Sequence, residues 1–115
     1  MYVRNRVIMV ETLDEYQKLA SQTAVYPRNR DSALMYTALG LASEAGEYAG
    51  KVKKLIRDAE WSKAAAAAEL GDVLWYVAMA AEANGFTLSE IAQANVDKLS
   101  DRKARNALRG SGDYR

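Results

Sequence analysis

Apolar residues along the chain recur at helical spacing in four blocks separated by polar punctuation. From Leu34 the positions Leu34, Ala38, Leu41, Ala45, Tyr48, Val52 and Leu55 step by 4 and 3 in alternation. That is the seam of an amphipathic helix and not the alternation of a strand. A second seam runs through Ala66, Leu70, Val73, Val77 and Ala80. The punctuation agrees. Thr12-Leu-Asp-Glu15 and Thr87-Leu-Ser-Glu90 are capping boxes, Pro27 and Asn29 break the chain, and Asn84-Gly85 stops a helix. The predicted helices are 13–24, 32–56 with Asp31 as its cap, 62–83, and 88 to about 108. Residues 2–10 fit an edge strand, an arm or an irregular lead-in.

The expected architecture is therefore all-α, a four-helix bundle in one domain of 115 residues, with residues 1–11 as an arm and 109–115 as a flexible tail. Apolar residues outside the seams (Met35, Tyr36 and Leu39, then Leu74, Trp75 and Met79) broaden both long helices. They predict that a homodimer or homotetramer completes the bundle. The alanine tract 64–68 reads as a close-packing surface.

Composition then narrows the chemistry. The formal net charge is +1, which gives no sign of a nucleic-acid or membrane partner. No continuous run approaches about 18 apolar residues, so no membrane span is expected, and a cytoplasmic location is the default. Cysteine and histidine are both absent. Disulfides, thiolate metal sites and imidazole catalysis are excluded, leaving carboxylates, lysines, tyrosines and bound water.

The carboxylates are arranged unusually. Glu44 and Glu47 are spaced i, i+3 beside the first long seam; Glu69 and Asp72 repeat that spacing and phase beside the second. Opposite residues of an antiparallel hairpin have indices with a constant total. Glu44 with Asp72 and Glu47 with Glu69 both total 116, which centres the hairpin on residue 58, inside the polar turn 57–61. The four acids are thus predicted to converge at one level. Such a cluster either shares protons, pairs with lysines as a solvated flank, or binds a hard cation. Oxygen-only ligands suit Mg²⁺ or Mn²⁺. Lys51 and Lys54 continue the flank of Glu44 and Glu47, placing ammonium groups for phosphate. Glu-x-x-His motifs, which a di-iron bundle needs, are missing.

The phrases ALGLASEAGE and AELGDVLWYVA, with E-A-G-E at 44–47, E-L-G-D at 69–72 and 21 residues between, resemble the all-α nucleoside triphosphate pyrophosphohydrolases, specifically their MazG-like group. The stretch NVDKLSDR at 95–102 and the ending RGSGDYR are similar too. The resemblance covers about residues 34–115. It implies hydrolysis of a nucleoside or deoxynucleoside triphosphate to the monophosphate and pyrophosphate, with Mg²⁺ held by Glu44, Glu47, Glu69 and Asp72. Glu47 is the candidate base. The resemblance also places Asn95, Lys98 and Arg102 near the substrate, favours Tyr76 as a site residue, and implies oligomers that share sites between chains. Trp75 and Tyr36 are further candidates to stack on a base. Many members double the first acid of the signature; here Ser43 stands in its place, so the number of metal ions does not carry over. A non-catalytic helical module that binds metal or nucleotide, or only oligomerises, is the rival reading.

Overall fold

The structure, a computed structural model, describes residues 2–3, 6–106, 109–110 and 112–113, with side chains from residue 8 onward. It contains four helices, α1 (Leu13–Ser21), α2 (Arg30–Asp58), α3 (Lys63–Ala83) and α4 (Leu88–Ala104). Two short strands, β1 (Tyr2–Val3) and β2 (Arg6–Val7), pair antiparallel with Tyr2 opposite Val7. The chain is all-α in class.

Local chemistry explains the helix ends. Thr12, Ser62 and Thr87 each cap a helix through the side-chain oxygen. The Thr87–Glu90 box closes in both directions, whereas Glu15 reaches past Thr12 to accept from the Glu11 N–H at 3.0 Å. Three boundaries move. α1 stops at Ser21, short of the expected Ala24, and the Thr23 hydroxyl takes the Ala20 carbonyl at 2.8 Å. Asn29, not Asp31, caps α2 by accepting from the Ser32 N–H at 3.1 Å, so Asp31 lies within the first turn and complements the helix dipole. α2 also runs on to Asp58, closed by Ala59 in the left-handed conformation, φ 55°. α4 ends at Ala104, and the expected end near Leu108 lies outside the described residues.

α2 and α3 form a long antiparallel hairpin, the dominant packing in the molecule. α1 and α4 pack on α3 and on each other near one end of it. Their shared core is Ala20, Tyr26, Ala33, Ala78, Met79 and Leu88. Buried Gln17 locks this end. Its amide donates to the Ala78 and Phe86 carbonyls, both at 3.1 Å, and its oxygen accepts from the Leu88 N–H at 3.0 Å. Asp14 caps α4 from outside, accepting from the Ser89 N–H and hydroxyl, which holds its carboxyl below the usual range. Among the described residues the far end of the hairpin has no such cover. The molecule measures 51 × 42 × 30 Å.

The facing line of the hairpin differs from the expected seam by one residue. On α2 it is Ala33, Thr37, Gly40 and Glu44, where Thr37 is 1% exposed and Gly40 lies against the Tyr76 ring. Small residues there let the larger Tyr76 and Met79 of α3 approach closely. Leu39 at 73% and Leu70 at 49% exposure remain outside. The centring of the hairpin holds: Gly40 and Tyr76, which meet across it, also total 116.

By length and composition alone α3 is long and apolar enough to cross a membrane, with mean hydropathy 1.3 over its richest stretch. The alanine tract and the aliphatic residues raise the average. Glu69 and Asp72 lie within the same helix and face α2, where a lipid interior would penalise them.

Candidate active site

Because the facing line runs one residue ahead of the apolar seam, Glu44 lies on it and not beside it. It is half-buried, as is Glu69; Asp72 is exposed. One carboxylate oxygen from each of Glu44, Glu69 and Asp72 lies within 4.8 Å of the others. Mg²⁺–oxygen bonds of 2.0–2.1 Å place two ligands of one ion at most about 4.2 Å apart. A side-chain adjustment therefore suffices for these three to share a hard cation, and the donor set is all oxygen, as Mg²⁺ or Mn²⁺ prefers. Partial desolvation, then the charges of Asp72, Glu69 and Glu47, push the Glu44 carboxyl up from its ordinary value. A bound cation relieves that repulsion.

Glu47 stands apart. It is exposed, one turn along α2, and outside the group of three, though near enough for its charge to act on Glu44.

A cleft of about 310 Å³ opens beside the carboxylates, lined by Thr23, Glu44, Asp72, Trp75 and Tyr76. Its aromatic wall is braced from behind. The Trp75 indole N–H donates to the Thr23 hydroxyl at 2.9 Å and the Ala20 carbonyl at 3.2 Å, and Trp75 meets Tyr76 edge-on with centroids 4.9 Å apart. Tyr36 stacks on Tyr26 at 4.7 Å and lies 6.2 Å from Tyr76. Partial burial, then the interaction with the Tyr36 hydroxyl and the charges of Glu44 and Asp72, raise the Tyr76 phenol pKa. Sequence spacing did not point to Thr23, which arrives from the turn after α1.

The basic residues lie elsewhere. Lys51 and Lys54 line a separate cleft of about 480 Å³ with Glu60, Trp61, Ser62 and Ala65, at the hairpin turn. Lys51 is two turns beyond Glu44, a rise of roughly 10 Å. Trp61 was not foreseen there, since a lone aromatic in a polar turn carries no spacing signal. Asn95 is exposed on α4, and Lys98 and Arg102 both pair with Asp113. Among the described residues α4 does not meet α2, and none of these three lines the carboxylate cleft.

The helical hairpin brings Glu44 of an E-x-x-E together with Glu69 and Asp72 of an E-x-x-D, next to an aromatic cleft. Residues 34–106 match the MazG nucleotide pyrophosphohydrolase domain, and the chain belongs to that family. Along most of its length it is similar to the Gene 37 protein of Mycobacterium phage L5, at 45% identity over 112 residues, covering 90% of this chain and 98% of that one. No solved structure matches the chain. The family is generally dependent on a divalent metal.

Proposed function

We propose that the protein hydrolyses nucleoside or deoxynucleoside triphosphates to the monophosphate and pyrophosphate with Mg²⁺, as control or cleansing of the nucleotide pool. One observation carries this reading: Glu44, Glu69 and Asp72, from the two halves of one signature, meet across the hairpin. They are the residues to hold Mg²⁺, which when bound neutralises phosphate charge and polarises the phosphoryl group. Glu47 is close to them but uncommitted, which suits it to accept the proton of the attacking water. Cleavage of the α–β anhydride then releases pyrophosphate. Trp75 and Tyr76 give the base and sugar an apolar wall.

Lys51, Lys54, Asn95, Lys98 and Arg102 are the proposed phosphate contacts. A second copy is proposed to bring basic residues to the cleft, because α4 and α2 of one chain do not meet. The exposed Met35, Leu39, Leu70, Leu74, Ile91 and Leu99 offer the apolar face for it.

The test is pyrophosphate release from a panel of standard nucleoside triphosphates, with and without Mg²⁺. Turnover that needs Mg²⁺ and falls at least a hundredfold in Glu69→Gln and Asp72→Asn supports the reading. A folded protein that binds Mg²⁺ and turns over none of the panel is a non-catalytic binding module instead.

A further inference from the structure

Lys98 and Arg102 are already engaged by an anion that the chain itself supplies. The Lys98 ammonium donates to Asp113 Oδ1 at 3.1 Å. One Arg102 nitrogen donates to the Asp113 carbonyl at 2.8 Å, and to the Gly112 carbonyl and Asp113 Oδ1 at 3.3 Å each. The acids of α4 itself are turned elsewhere: Asp97 accepts from Gln93 at 2.9 Å, and Asp101 from Arg105 at 2.9 Å. Arg102 is 4% exposed, and a guanidinium that buried needs a compensating acceptor. Asp113 itself remains 73% exposed, so it is open to exchange. The hydrogen bonds from Lys98 and then Arg102 hold its carboxyl below the usual range, so it is an anion at neutral pH.

An oxygen shared by an ammonium and a guanidinium one helical turn apart is the arrangement a phosphate oxygen takes. We propose that Asp113 is an internal stand-in for phosphate on the Lys98–Arg102 pair, and that an incoming polyphosphate displaces it. Ligand binding and release of Asp113 are then one exchange. This rests on the reading above that Lys98 and Arg102 contact phosphate. The docked carboxylate acts at the high effective concentration of a tethered competitor, so it weakens apparent affinity and sharpens selection for ligands that engage both cations. The arginine contacts to the Gly112 and Asp113 carbonyls do not need the Asp113 charge. A neutral residue at 113 removes the competing anion and leaves that anchor.

Inorganic pyrophosphate, titrated into the full chain with calorimetry and amide NMR, tests this. The expected result is a Gly112 amide that moves at saturation, with pyrophosphate binding about three- to tenfold tighter in Asp113→Asn and at least tenfold weaker in Lys98→Gln. Pyrophosphate that binds wild type and Asp113→Asn equally, with the Gly112 amide unmoved, makes Asp113 a structural staple and overturns the exchange alone. Unchanged affinity in Lys98→Gln overturns the phosphate-contact reading, and the exchange with it.

Discussion

Gly40 of α2 lies directly under the phenol ring of Tyr76 of α3, one turn from Glu44 and Asp72 respectively, so this tight contact between the two long helices adjoins the carboxylates. A Cβ at position 40 would overlap that ring. Gly40→Ala is therefore expected to force the helices apart or the ring out, costing about 1–3 kcal/mol. Denaturant unfolding measures the loss, and Mg²⁺ affinity should fall with it because the three carboxylates span the same contact. A variant as stable as wild type would mean that Tyr76 yields freely.

Glu44 gives a pH dependence with a defined sign. Its carboxyl is raised in the folded chain, so the folded state holds a proton that the unfolded state has released in the window just above the ordinary carboxylate range. Stability conferred by that proton is full below the window and lost as pH rises through it. In the absence of divalent cation, Glu44→Gln should melt at the wild-type temperature at low pH and above it at neutral pH. Mg²⁺ should raise the wild-type melting temperature more than that of the variant. Melting curves from acid to neutral pH, with and without Mg²⁺, decide this.

Gln17→Leu keeps much of the volume and removes three hydrogen bonds, leaving the Leu88 N–H and the Ala78 and Phe86 carbonyls without the amide they now share. The expected cost is about 2–4 kcal/mol. Hydrogen exchange at the start of α4 should accelerate, whereas the turn between α2 and α3 should be unaffected.

Ala59 occupies the left-handed region at the end of α2, where a side chain costs about 1–2 kcal/mol and glycine does not. Glycine loses roughly half of that gain through its freer unfolded state. Ala59→Gly should stabilise the chain by about 0.5–1 kcal/mol, read as a higher midpoint in urea at unchanged slope.

The elements were legible because their signals are local. A cap residue and a 4–3 spacing act within a turn or two, so Thr12, Thr87 and Asn84-Gly85 marked helix ends, and the constant total of 116 gave the hairpin alignment. The rotation of the helices was not. Both flanks of α2 carry apolar residues, and a hydrophobic period cannot distinguish a line of small residues that admits Tyr76 from a line of leucines left outside. That one-residue rotation is what draws Glu44 onto the packed face. Long-range partners were beyond reach for the same reason. Gln17 meets Leu88 across 71 positions, and nothing in either neighbourhood announces it. The chain's return to bring Asp113 to Lys98 and Arg102 is tertiary in the same way.

The carboxylates facing one another at the middle of the hairpin make that region a spring held compressed by its own charge. Its ends are secured differently, by Gln17 and the core on one side and by a bare turn on the other. Relaxation without a cation should therefore propagate toward residues 51–65 and spare the α1–α4 end, so the supply of divalent ion sets which half of the molecule breathes.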